Sequence, residues 1–275
     1  TLTTDDVASL SDSSLDVGGQ EVFAFDSQLR SLDFTCSHCD LVAAELTLDS
    51  TLIVRARNIA VHGPLVAHKL KFLASGKVNV RGVLDARGLC ERCIGGAITV
   101  VGGAVSLAGT ALVDASGQAG GGEIFIGRSN TGKEVSQLTF VARDARIVCD
   151  SLLSGDGGHV LVWSDGDTAF FGALQSRGGL LGGNGGFAEV SAAGRLLFDG
   201  SSDLSARAGE ASKGELLLDP LNVVVSALNT DDAELPDLLF AEAAGLDWYV
   251  SAAALIASLD GSNVVLEATN DITID

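Results

Sequence analysis

Two Cys-x-x-Cys pairs, "CSHC" (Cys36, Cys39) and "CERC" (Cys90, Cys93), carry the residue types and spacing best suited to chemistry in this chain. Four thiolates at tetrahedral distance would hold zinc through bonds of ~2.3 Å, whereas each pair closed across its own turn would form a local disulfide. A redox-active pair of the thioredoxin kind opens a helix in an α/β fold, and neither stretch begins a helical pattern. The motifs start 54 residues apart (90 − 36), too far for one shared metal unless a loop folds back. Disulfides Cys36–Cys39 and Cys90–Cys93, free thiols, and a metal on some of these four residues stay open at this point. The fifth cysteine, Cys149 in "RIVCD", alternates like a wall residue and reads as core.

Other candidate groups have simpler readings. His159 follows a glycine pair and reads as a solvated or partly packed face residue, while His38, His62 and His68 are scattered. Only His38, inside "CSHC", could join a metal. Asp156, Asp165 and Asp167 around "GGHVLVWSDGD" suggest calcium, yet Asp-Gly and Ser-Asp-Gly are turn signals through backbone chemistry alone. No serine stands in a Gly-x-Ser-x-Gly elbow, and no glycine loop ends in Gly-Lys-Ser/Thr. Catalytic and cofactor-binding residues are therefore expected to be none.

The elements that would position these residues follow from composition and repeat. Glycine makes up 34 of 275 residues against a usual ~7%, with only 3 prolines, which calls for many tight turns joining strands. The net charge of −19 excludes nucleic acid and anionic membrane as partners, since both need clustered Lys or Arg. No apolar run reaches the ~18–20 residues of a membrane span, and "TLTTDDVASL" shows neither a basic nor an apolar leader region. With no Met at all, the chain reads as a piece of something longer, continuing past Asp275.

Glycine doublets or near-doublets recur as "GGAITV", "GGEIFI", "GGHVLV", "GGFAEV" and "KGELLL", their second glycines being Gly96, Gly122, Gly158, Gly186 and Gly214. The steps are 26, 36, 28 and 28, and the long one contains the polar insertion "RSNTGKEVSQ" (128–137). Two and four places after each second glycine stand apolar residues, from Ile98 and Val100 to Leu216 and Leu218, with mixed residues between. Period two with one constant face means a strand with one buried side. The five glycines are expected to be structural turns, taking positive φ where a Cβ would clash, with Asn184 of "GGNGG" serving the same turn.

Short strands ending in turns precede them at "LDARG" (84–88), "VDASG" (113–117), "LQSRGG" (174–179) and "LSARAG" (204–209). Further upstream "LVAAELTLDSTLIV" (41–54) aligns with "LVAHKLKFLASGKV" (65–78) at a shift of 24. A leucine-rich repeat would show an Asn ladder and a propeller blade ~40 residues, so these features predict a parallel β-helix of about eleven coils, near 50 Å long. The regions are an N-terminal part (1–40), coils of about 24–28 residues (41–220), and a continuation (221–275) bearing an acidic insertion (228–250) and a short helix (251–259) that begins at Ser251.

The run 155–200, with "VWSDG" and "GGNGGFAEVS", followed by "LLLDPLN" and then 252–274, resembles the filamentous-haemagglutinin-like exoproteins of Gram-negative bacteria. The likeness covers about 95–275 and is looser over 41–94. It implies a right-handed parallel β-helix, secretion through an outer-membrane two-partner transporter, display at the cell surface, and attachment to host-cell, bacterial or abiotic surfaces, with no catalytic residues. Export in turn favours the two disulfides. The Asn-Pro-Asn secretion segment and the C-terminal toxin module of such proteins do not occur in this sequence.

The expected function is therefore that of an adhesin-like rod, with binding at departures from the repeat, namely 128–137 and 228–250. A stalk of a contact-dependent inhibition exoprotein is the alternative within the same fold. A polysaccharide-degrading β-helix enzyme is the second alternative; it would place carboxylates beside Arg or Lys on one outer face, a pattern the outward positions do not show.

Overall fold

The computed structural model describes residues 9–11, 21–24, 30–227 and 249–274. Alternating apolar residues, many of them β-branched, fit a pleated surface with one buried side, and the chain accordingly winds as a parallel β-helix. From Lys69 to Asp203 each coil lays down three short strands, one on each of three faces, and each pairs in parallel with its counterpart in the neighbouring coil.

On the first face Lys69–Ala74, Ala97–Val101, Glu123–Ile126, His159–Val162, Phe187–Val190, Glu215–Leu218 and Asn263–Leu266 form one continuous ladder. Its register matches Ile98, Ile124, Val160, Ala188 and Leu216, so the glycine-marked repeat is the coil itself. Lys77–Val80, Ala104–Leu107, Leu138–Val141, Asp167–Phe170 and Leu196–Phe198 build the second face. Pro64–Val66, Val83–Asp85, Leu112–Asp114, Arg146–Val148, Ala173–Gln175 and Ser201–Asp203 build the third.

The core is the stack of inward side chains. Leu70, Ile98, Ile124 and Val160 meet Phe72, Val100, Ile126 and Val162 on the first face, and all eight are fully enclosed. Phe170 and Phe198 stack on the second face with ring centroids 5.4 Å apart. Inward hydroxyls are satisfied within the wall: Thr139 donates to the Trp163 carbonyl at 2.7 Å and Thr168 to that of Ser191 at 2.8 Å.

The N-terminal coils correct the alignment at a shift of 24. Strand Ser31–Thr47 wraps all three faces, and its register with Thr51–Val61 joins Leu32 to Leu52 and Leu41 to Ile59, shifts of 20 and 18. The next coil pairs Leu52 with Leu70, again 18 residues on. These coils are shorter because the corner between third and first faces holds only Leu48, Asp49 and Ser50, or Ala67 and His68.

At the other end the repeat is decorated. Residues 228–248, most of the acidic insertion, lie outside the described residues. The chain re-enters as Val250–Ser251, a strand wedged between Leu196–Phe198 and Val223–Ser226 on the second face. Helix Ala252–Leu259 follows, its N-cap Ser251 accepting from the Ala254 amide, as the Ser start of 251–259 requires. It packs beside Ser201–Asp203, where the Ser202 and Ser262 hydroxyls meet at 2.8 Å. Asn263–Leu266 and Ile272–Ile274 then resume the first and second faces. Among the described residues no helix is long and apolar enough to cross a membrane.

Candidate functional site

The corner between third and first faces concentrates what the repeat adds to a bare wall. From residue 86 onward a connection of eight to eleven residues, such as 86–96 or 176–186, bulges outward here and returns through the glycine doublet or near-doublet. The second glycine closes it: the amides of Gly96, Gly122, Gly158, Gly186 and Gly214 donate at 2.7–2.9 Å to the carbonyls of Ala86, Ala115, Cys149, Ser176 and Leu204. Their own carbonyls accept from the next coil, at Glu123, His159, Phe187, Glu215 and Asn263.

This geometry corrects the reason for the glycines. None of the five has positive φ; a Cβ at Gly122, Gly186 or Gly214 would instead collide with the carbonyl of the preceding glycine in the series. The positive-φ residues of "GGNGG" are Gly182 and Gly183. Asn184 caps from coil to coil: its amide donates to Asp156 at 2.7 Å, and its side-chain oxygen accepts from Ser212 at 2.9 Å.

The glycine pairs floor an open groove of about 870 Å³ that runs along the rod. One wall is the outward column Lys69, Ala97, Glu123, His159, Phe187, Glu215 and Asn263, one residue per coil; the other is the corner loops, beginning at Ile94. His159 sits half-buried between Phe125 and Phe187, with ring centroids 5.5 and 5.4 Å away. The outer rim carries exposed Leu89, Leu153, Leu180 and Leu181.

No family model matches the sequence, and no curated protein matches it.

The cysteines are kept apart. Cys36 is bonded to Cys39 at the corner between first and second faces, and Cys90 to Cys93 on the loop 86–96 at the glycine corner. The second pair tightens a turn, Cys93 donating to the Cys90 carbonyl at 2.9 Å, and the Cys93 carbonyl receives Ala119 of the next coil. No group of three or more metal-ligating side chains occurs among the described residues. Cys149 is enclosed in the corner stack with Ala86, Ala115, Ser176 and Leu204, and burial pushes its thiol far up.

Outside the groove, the third face shows what sequence reasoning missed. Carboxylates do recur beside basic residues: Arg87 binds Asp85 at 2.6 Å and lies 3.9 Å from Asp114, one coil on. Arg177 binds Asp150 at 2.6 Å and lies 3.8 Å from Asp203. The pairs 167/195 and 40/57 follow the same plan. The visible signal was Asp-x-Arg in "LDARG", two outward positions on one strand and its exit, and the 27-residue spacing of Asp150 and Arg177. Burial opposes ionisation of Asp85, but the hydrogen bonds from Arg87 outweigh it and hold the carboxyl below its usual range. Asp114, more deeply placed and without a direct Arg hydrogen bond, is raised by burial.

Asp156 and Asp167 likewise serve the ladder, accepting from the amides of Asn184 and Arg195 one coil on. The insertion 128–137 folds back as a small hairpin. Arg128 bridges to Val135 and lies 4.9 Å over the Trp163 ring, and Glu134 reaches Lys71 at 4.0 Å, so the loop is held against the rod. The other loop expected to bind, 228–250, falls outside the described residues apart from buried Tyr249 and Val250.

Proposed function

We propose that this chain is a β-helical rod of a secreted or surface-displayed, adhesin-like exoprotein that presents a regular lateral surface for attachment to cells or surfaces. The observation that supports it is the continuity of the coil-to-coil ladder, reinforced outside by Asp–Arg and Asp–Asn–Ser contacts between successive coils. In such an assembly each rung is held by its neighbours on all three faces, and the stack presents an extended lateral surface. The resemblance of "VWSDG", "GGNGGFAEVS" and "LLLDPLN" to haemagglutinin-like exoproteins points the same way. Two disulfides on surface turns fit an oxidising compartment, and a two-partner outer-membrane transporter is the export partner that the resemblance implies.

The purified chain immobilised on beads tests this reading against epithelial cells, bacterial cells and plain polystyrene. Retention on at least one of these above a heat-unfolded control is expected. Absence of retention on all three would leave a stalk with activity elsewhere, and overturn attachment by this segment.

The polysaccharide-cleaving alternative draws on one observation, the stacked Asp85, Arg87 and Asp114 on the third face. Release of reducing or unsaturated ends from polygalacturonate or alginate, lost in Asp114→Asn, is the outcome that would favour it over the rod.

A further inference from the structure

We propose that the glycine-floored groove binds an extended, uncharged glycan lying parallel to the rod axis. This deepens the attachment reading and rests on it for its biological setting, though not for its chemistry. The groove runs from Lys69 to Asn263 across seven first-face strands, six steps of about 4.8 Å or nearly 30 Å. That length suits a chain polymer better than a compact metabolite.

Its depth follows from the wall. Four successive coils reach the first face through a glycine pair, at 95–96, 121–122, 157–158 and 185–186, so the floor there is bare backbone while the loop beyond rises above it; His68 and Lys213 line its two ends. A ligand therefore meets the same floor at four successive levels, which matches a molecule made of repeated units.

The side chains decide the class of polymer. Half-buried Phe187, braced by His159, offers a ring for stacking on the apolar face of a sugar. Exposed Glu123 and Glu215 offer acceptors for hydroxyl donors, and Asn263 lies beyond them in the same column. The lining carries three carboxylates, Glu123, Asp156 and Glu215, against Lys69 and Lys213 at its two ends, and this small negative excess on a chain of net charge −19 disfavours sulfated or uronic polymers. A peptide added as a strand is disfavoured too, because the wall strands spend their edges on the coil-to-coil ladder and expose none along the groove.

The test is calorimetric titration of the purified chain with cellohexaose, laminarihexaose and chitohexaose, and with a heparin hexasaccharide as the anionic arm. At least one neutral hexasaccharide is expected to bind with a Kd near or below about 1 mM, more tightly than heparin. Phe187→Ala, which removes the stacking ring, and Ala97→Trp, which fills the groove from its wall, should each weaken binding at least about fivefold. Leu181→Ala, on the outer rim, should leave it unchanged. Should Ala97→Trp lose the wild-type circular dichroism, Phe187→Ala and Glu215→Gln carry the comparison.

Stronger binding of heparin, binding of none of the neutral sugars, or affinities untouched by these variants would overturn the proposal. Attachment of beads without glycan binding would overturn the groove and leave the rod. Glycan binding without attachment would uphold the groove and count against the rod's adhesive role.

Discussion

The coils before residue 86 and those after it are built on one wall with different corners. In the first, strand Ser31–Thr47 turns two corners without interruption and the next strand begins after only three intervening residues, at Thr51, giving steps of 18 to 20 residues. In the second, the connection between third and first faces lengthens to eight to eleven residues, and the step rises to 26 or 28, or to 36 where 128–137 is inserted. Ser50 and His68 stand where Gly96, Gly122, Gly158, Gly186 and Gly214 stand later: each carbonyl accepts the amide that opens the next coil's first-face strand. Side chains are tolerated at 50 and 68 because no loop returns there. Glycine is needed where a loop closes on the wall, and that closed loop also raises the side of the groove. The wall is thus the common scaffold, and the corner is where the long coils acquire the groove.

The largest test of this division concerns what the two kinds of coil share. Phe72 in a short coil and Phe170 in a long one are both fully enclosed. Truncation to Ala leaves a cavity in a packed stack and should cost about 3–5 kcal/mol at either site. Equal losses in denaturant melts mean one continuous core; a much smaller loss at Phe72 would mean that the short coils form a looser, separate unit.

The corner should behave differently. Gly186→Val drives a side chain into the Ser176 hydroxyl and the Gly158 carbonyl, for an expected loss of about 1–3 kcal/mol. His68→Val, at the equivalent place in a short coil with its side chain exposed, should change stability by no more than about 0.5 kcal/mol. If the two substitutions cost the same, loop closure is not what requires glycine.

How much of this was legible in the sequence also divides at the corner. The coil register from Ile98 to Leu216 could be read because glycine pairs punctuate it and alternation fixes which side is buried. The short coils lack that punctuation. Leucines at 41, 46 and 48 match Leu65, Leu70 and Phe72 in type at a shift of 24, yet the ladder pairs Leu41 with Ile59 and Leu46 with Leu65. Composition named glycine correctly at 186 but not its cause, since positive φ and close approach of a carbonyl select the same residue. The groove was hidden for the same reason: an absence of side chains has no periodic signature of its own. The Asp–Arg stacks escaped because partners such as Asp150 and Arg177 meet only after a full coil of winding.

The smallest and most discriminating effect lies where the two kinds of coil touch. Asp85 ends the third face of the last short coil, and Asp114 pairs with it in register one coil later. Arg87 hydrogen-bonds Asp85 and leaves Asp114 at 3.9 Å, so the first carboxyl is held below its usual range and the second raised by burial. The signs of the two contributions to stability are opposite. The depressed Asp85 stabilises the fold above its unfolded value near 3.8, and that contribution is lost as pH falls through the lower folded value. The raised Asp114 does the reverse: its charge penalises the fold at neutral pH, and the penalty is relieved as pH falls through the raised folded value toward 3.8. Asp85→Asn should therefore lower the melting temperature at pH 7, with the deficit shrinking in acid. Asp114→Asn, which keeps an acceptor for the Ser116 amide, should raise it at pH 7, and the gain should fade as pH approaches 3.8. Parallel shifts of the same sign in both variants would show that Arg87 serves the two carboxylates equally, and that the junction between short and long coils is electrostatically seamless.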